Sequence, residues 1–130
     1  MPVGESRLVG SADAIIAEGC AFERCTVEQS IVGIRTNIQA GARIRRSVLL
    51  GADFFEVAYE AMARPDRPRL GIGRDAVLDG VIVDKNAHIG DGATLVNEQN
   101  HQEYDGEGYY IRRGIIIVPK GSVIKAGTKL

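Results

Sequence analysis

The sequence predicts an all-β fold wound as a parallel β-helix of hexapeptide repeats, and three observations carry that expectation. Large aliphatic residues recur at intervals of six over most of the chain: Val32, Ile38, Ile44 and Leu50, then Ile72 and Leu78, then Val83, Ile89 and Leu95, and finally Val118, Ile124 and Leu130. Neither an amphipathic helix nor a half-exposed strand has that period, whereas a six-residue unit is a signature of a β-helix. Counted from each aliphatic anchor, the fifth place is repeatedly small, as at Cys20, Thr26, Thr36, Ala42, Ala76, Ala87, Ala93, Ser122 and Thr128. Glycine follows several anchors directly, at Gly33, Gly51, Gly73 and Gly90, and recurs at turn positions at Gly41, Gly92, Gly121 and Gly127, where a positive φ is cheap.

Each unit supplies one short strand and one turn, and three units bring the chain back above its start. The anchor points into a narrow interior, and the fifth residue faces inward against a neighbouring wall, where a large side chain would overpack. In the first run the spacing falls to five from Phe22 to Val27 to Val32, and it does so again from Leu78 to Val83. Tightened corners are expected there. The repeat is interrupted over residues 52–70, ADFFEVAYEAMARPDRPRL, where Glu56 to Ala63 could form a helical turn before Pro65 and Pro68 stop it. It is interrupted again over residues 97–113, NEQNHQEYDGEGYYIRR, a polar, glycine-containing and tyrosine-rich stretch expected to be a loop. The whole chain, 1–130, is expected to be a single domain.

Composition bounds the function. Hydrophobic residues make up 45% of the chain, aromatics only 5%, and Trp is absent, which suits a prism too narrow for rings. A net charge of −1 disfavours general nucleic-acid binding. No apolar run approaches the roughly 20 residues that span a bilayer, and no signal peptide precedes the repeats. A cytoplasmic setting is expected.

The segments AEGCAFERCTVEQSIVGIRTNI, RRSVLLGADFFE, LGIGRDAVLDGVIVDKNAHIG and GYYIRRGIIIVPKGSVIKAGT follow one another at characteristic intervals. In these segments, with both insertions in place, the chain resembles the carboxyl-terminal β-helix domain of ADP-glucose pyrophosphorylase (glucose-1-phosphate adenylyltransferase) from Ser6 to Leu130. VIVDKNAHIG and GIIIVPKGSVIKAG are the most specific stretches. The resemblance implies a left-handed coil, against the usual right-handed crossover preference. It also implies a parent reaction, ATP plus glucose 1-phosphate giving ADP-glucose and pyrophosphate, in glycogen or starch biosynthesis. In the family that chemistry lies in a preceding nucleotidyltransferase catalytic domain, which this sequence has no room for. The chain alone is therefore expected to be inactive.

In the family this domain contributes to assembly and to allosteric control by phosphorylated metabolites and inorganic phosphate. The resemblance carries the effector site onto Lys85 in VDKNAHIG and Lys120 in VPKGSV, whose ammonium groups suit phosphate as compact point charges. Arg35, Arg74, Arg112 and Arg113 could add bidentate contacts. His88 departs from the pattern, standing where a basic residue is common. A homo-oligomer is expected, because a solenoid exposes apolar wall and open strand edges.

Other constellations are weaker. Cys20 and Cys25 lack a second Cys pair and a nearby His, so zinc is not expected, and Cys20 occupies a small-residue core place. No metal, cofactor or catalytic residue is assigned. A free-standing hexapeptide acyltransferase is the alternative, and His101 would be its base near a coenzyme A groove. A purely structural β-helix is a third possibility. Glu98, Glu103, Asp105 and Glu107 lie beside Tyr104, Tyr109 and Tyr110 in the second insertion. The tyrosines are expected to cover an open coil or face a partner.

Overall fold

The computed structural model describes residues 8–56, 64 and 66–130. The chain climbs in coils of three strands. The first coil is β1 (Leu8–Ala12), β2 (Ile15–Ile16) and β3 (Ala21–Phe22), and the second is β4 (Cys25–Glu28), β5 (Ile31–Val32) and β6 (Asn37–Ile38). The third is β7 (Arg43–Arg45), β8 (Val48–Leu49) and β9 (Gly71–Ile72), and the fourth is β10 (Val77–Asp79), β11 (Val81–Val83) and β12 (His88–Ile89). The fifth begins with β13 (Thr94–Leu95), passes through β14 (Glu103–Asp105) and β15 (Tyr110–Arg112), and ends with β16 (Ile115–Val118) and β17 (Val123–Ile124). Like strands stack in parallel into three walls: β1, β4, β7, β10 and β13 in the first; β2, β5, β8, β11 and β16 in the second; β3, β6, β9, β12 and β17 in the third. No helix occurs among the described residues, and the helical turn expected after Glu56 falls on residues 57–63, outside them.

The register explains the period of the sequence. Val27, Ile44, Leu78 and Leu95 align up the first wall, Val32, Leu49, Val83 and Val118 up the second, and Phe22, Ile38, Ile72, Ile89 and Ile124 up the third. All of these side chains are buried, each contributing about 1.5–3 kcal/mol by leaving water. Two expectations need correction. Leu49 is the inward anchor and Leu50 is exposed, so the Ile44 interval is five, not six. Likewise Cys25, not Thr26, takes the fully buried small place before Val27.

The two slips arise at two different short corners. The turn from third wall to first is one residue short between Phe22 and Val27, and the corner from first wall to second is one residue short between Val27 and Val32, Ile44 and Leu49, and Leu78 and Val83. The latter corner requires a left-handed backbone at Gln29 (φ 47°), Arg46 (φ 46°) and Gly80 (φ 73°). Buried serines link these turns: the Ser30 hydroxyl donates to the Glu28 carbonyl at 2.7 Å and accepts the Ser47 N–H at 3.1 Å. Ser47 repeats the pattern, donating to the Arg45 carbonyl at 2.7 Å and accepting the Val81 N–H at 3.2 Å. The serine ladder satisfies amides that would otherwise be orphaned in the core.

The second insertion is not the loop expected from its composition. β14 and β15 pair antiparallel, and β15 pairs antiparallel with β16, so a hairpin widens the second wall. Ile111 of this hairpin is 1% exposed and Tyr109 packs against the core, as expected for a ring covering the coil.

Candidate functional site

The corner between second and third walls carries the candidate effector site. Its turns stack through backbone bonds: Arg35 N–H to Glu18 O at 3.4 Å, Ala52 N–H to Ile34 O at 3.0 Å, Asn86 N–H to Gly51 O at 3.1 Å and Gly121 N–H to Lys85 O at 2.9 Å. With Val83 beside Val118, Lys85 and Lys120 occupy the same place in successive turns, roughly one rung of 4.8 Å apart along the backbone. Asn86 (φ 62°) and Gly121 (φ 72°) supply the left-handed residue that each turn requires. Asn tolerates that conformation far better than most side chains.

Asp53, at the start of the first insertion, reaches the same spot. Its Oδ1 lies 3.3 Å from Lys85 Nζ. Asn86 clasps it twice, accepting the Asp53 N–H on Oδ1 at 2.9 Å and donating Nδ2–H to Asp53 Oδ2 at 3.1 Å. Those bonds, first from Asn86 and then from Lys85, together with the charges of Lys85 and Lys120, hold the Asp53 carboxyl below the usual carboxylate range. Sequence reading missed both Asp53 and Asn86. The asparagine stood beside Lys85 in DKN, but the aspartate is separated from it by an insertion that the repeat count cannot bridge.

The other basic residues named from the sequence divide among different places. Arg35 lies on the same corner, below Asp53, but its Nε–H donates to the Ala52 carbonyl at 2.9 Å. Arg74 sits on the corner between third and first walls, where its N–H meets Asp91 Oδ1 at 2.9 Å. Arg112 lies in the hairpin, paired with Asp105 at 2.7 Å and stacked over the Tyr110 ring at 5.0 Å. Arg113 occupies the following turn (φ 52°), its N–H bonded to Glu103 Oε2 at 2.8 Å. The corner therefore brings together Lys85, Lys120 and Arg35 and leaves the other three elsewhere.

His88 is buried beneath the first insertion with Nδ1 3.0 Å from the Pro68 carbonyl. Burial pushes its pKa down, so it offers no cation to the corner. His101 stacks on Tyr104 at 4.9 Å, Tyr104 stacks on Tyr109 at 6.1 Å, and Asn97 brackets the His101 backbone. These rings face one another within the hairpin. Burial raises both thiols, Cys25 to about 11, which suppresses the reactive thiolate. No cluster of three or more metal-ligating side chains occurs among the described residues, and no helix among them is long and apolar enough to cross a membrane.

Comparison with known families adds one match: a family model described as the GLGC left-handed parallel beta-helix domain covers residues 5–129.

Proposed function

Because the chain belongs to the family of GLGC left-handed parallel β-helix domains, in line with its resemblance to the carboxyl-terminal domain of ADP-glucose pyrophosphorylase, we propose that it is a regulatory and assembly module of a glucose-1-phosphate adenylyltransferase. In this reading Lys85 and Lys120 hold the phosphate of an effector or inorganic phosphate itself. The observation that carries it is the stacking of the two lysines in equivalent turns of adjacent coils. The rigid turns fix the two lysine backbones, so only the side chains have to be ordered on a shared phosphate, which lowers the entropic cost of binding. The Asp53 carboxylate occupies the approach to Lys85, so an incoming phosphate competes with it. Weak affinity follows, on the order of millimolar or about −4 kcal/mol.

Calorimetric titration of the chain with inorganic phosphate tests this. The parent should bind with an affinity that falls as salt is added. Lys85→Ala and Lys120→Ala should each remove most of the binding while the far-ultraviolet circular dichroism stays unchanged. Absence of heat in the parent, or two variants that bind as the parent does, would defeat the reading.

A further inference from the structure

The corner between third and first walls carries a recess on the opposite side of the third wall from the lysine corner. Ile38, Ile72, Ile89 and Ile124 align up the third wall, so the residues that follow them, Gln39, Gly73, Gly90 and Lys125, form the next row. Two side chains are missing from the middle of that row. Backbone crowding excludes them: a Cβ on Gly73 would lie 2.7 Å from the Gly90 carbonyl carbon, and one on Gly90 would lie 2.6 Å from Ala126 Cα. Beside the gap runs the end of the first insertion, anchored where the Pro68 carbonyl meets His88 Nδ1 at 3.0 Å. Wall and insertion enclose a cavity of about 400 Å³ whose polar lining is Gln39, Asp66, Arg67, Arg69, Asp91 and Lys125. That volume falls within the roughly 300–1,000 Å³ of small-molecule sites.

The carboxylates of this cavity are engaged. Asp66 pairs with Arg64 at 3.3 Å, and Asp91 Oδ1 accepts the Arg74 N–H at 2.9 Å. The cations are not matched in the same way. Arg69 and Lys125 make no ion pair among the described residues. Arg67 lies 3.7 Å from Glu56 Oε2, beyond hydrogen-bond range, and its buried Nε–H has no acceptor among the described residues. Three cations against two carboxylates leave the lining one positive charge in excess, and counting the flanking Arg64 and Glu56 as well, four against three, leaves the same excess. A buried guanidinium N–H without an acceptor carries a desolvation cost that an anion in the cavity offsets once the side chain turns toward it.

We propose that this cavity is a binding site for the carboxylate of a small organic acid. The planar guanidinium of Arg67 presents a fork that meets a carboxylate in two parallel hydrogen bonds, and Arg69 and Lys125 add the remaining positive charge at the exposed rim. The Gln39 carboxamide, on a residue 5% exposed, offers a donor and an acceptor to the rest of the acid. A single excess charge selects a monoanion, because a doubly charged phosphate would bring one negative charge more than the lining matches, beside Asp66 and Asp91. The site lies on a different corner from Lys85 and Lys120 and does not depend on the phosphate reading of that corner.

Acetate is the probe, titrated at constant ionic strength so that screening does not change. In nitrogen–proton correlation spectra that include arginine side chains, the Arg67 Nε–H cross-peak, assigned by its loss in Arg67→Lys, should move saturably as acetate is added. Arg69→Ala and Lys125→Ala, both at exposed positions, should each weaken acetate binding roughly two- to fivefold with the circular dichroism unchanged. Arg67→Lys keeps the charge and removes the fork, so acetate binding read at the Lys125 amide should weaken there too. Lys85→Ala should respond to acetate as the parent does, which keeps this site apart from the lysine corner. Inorganic phosphate should move the Arg67 cross-peak less than acetate at equal concentration. A cross-peak indifferent to acetate, variants at Arg67, Arg69 and Lys125 that bind as the parent does, loss of the response in Lys85→Ala, or a larger shift with phosphate would overturn the proposal.

Discussion

In the proposed reading, Asp53 sets how strongly the lysine corner attracts an anion. Its Oδ1 lies 3.3 Å from the Lys85 ammonium, and the contact is charge-assisted. Because the pKa of Asp53 is depressed, the ion pair persists above the ordinary carboxylate range and is lost only as pH falls through the lower folded value. In the proposed reading, phosphate at neutral pH competes with the ionised Asp53 for that ammonium. Asp53→Asn removes the charge and keeps a side chain able to bond Asn86. Phosphate should then bind more tightly, by no more than a few-fold because the pair is exposed, as measured by the calorimetric titration used for the parent; unchanged or weaker binding would show that Asp53 does not compete. At this scale the lysines were legible in the sequence through a specific motif. Asp53 was not, since its partners are fixed by which coil an insertion leaves from. Leu49 and Leu50 failed for another reason: two adjacent leucines both satisfy hydrophobicity, and only the tight corner decides which points inward.

At the scale of elements, the insertions were legible as interruptions but not as structures. NEQNHQEYDGEGYYIRR is polar enough for a loop, yet alternating Tyr110, Ile111 and Arg112 put one apolar residue inward and two polar ones outward, the half-buried pattern of an edge hairpin. The first insertion is fixed to the third wall through His88, whose Nδ1 lies against the Pro68 carbonyl, and is held together by Glu56, which accepts the Leu70 N–H at 2.8 Å and lies 3.7 Å from Arg67. Desolvation, with the nearby Arg67 charge, lowers the His88 pKa below its ordinary 6.5, against opposing contributions first from the Pro68 carbonyl and then from Glu56. The sign follows from linkage: in this range the unfolded chain binds more protons, so stability is complete above the unfolded value and declines as pH falls toward and through the folded one. The thermal midpoint should therefore be level above about pH 6.5 and drop on acidification to about pH 5. In His88→Gln, which can donate to Pro68 but cannot titrate, the drop should be shallower. Parallel profiles for the two proteins would show that His88 does not set the acid sensitivity of this attachment.

At the scale of the whole molecule, the period of six fixed the solenoid because every coil solves the same packing problem, and resemblance added the handedness that periodicity leaves open. Each coil rests only on its neighbours, so protection from hydrogen exchange should grade along the axis. Amides of β7 and β10, flanked by strands on both sides, should exchange most slowly. The fifth coil should not behave uniformly. Its third-wall strand, β17, ends its sheet and has one neighbour, β12, whereas its second-wall strand, β16, lies between β11 and β15. Ile111 and Ile116, 1% and 0% exposed, also close the interior beside β16, so opening it requires peeling the hairpin away. Exchange followed by mass spectrometry should show Ile115–Val118 protected well beyond Val123–Ile124, although the two strands belong to one turn of the helix. Equal rates would mean that the coil opens as a unit and that the hairpin adds no local stability. A split between them would identify the second insertion as the cap of this end of the solenoid on its second wall.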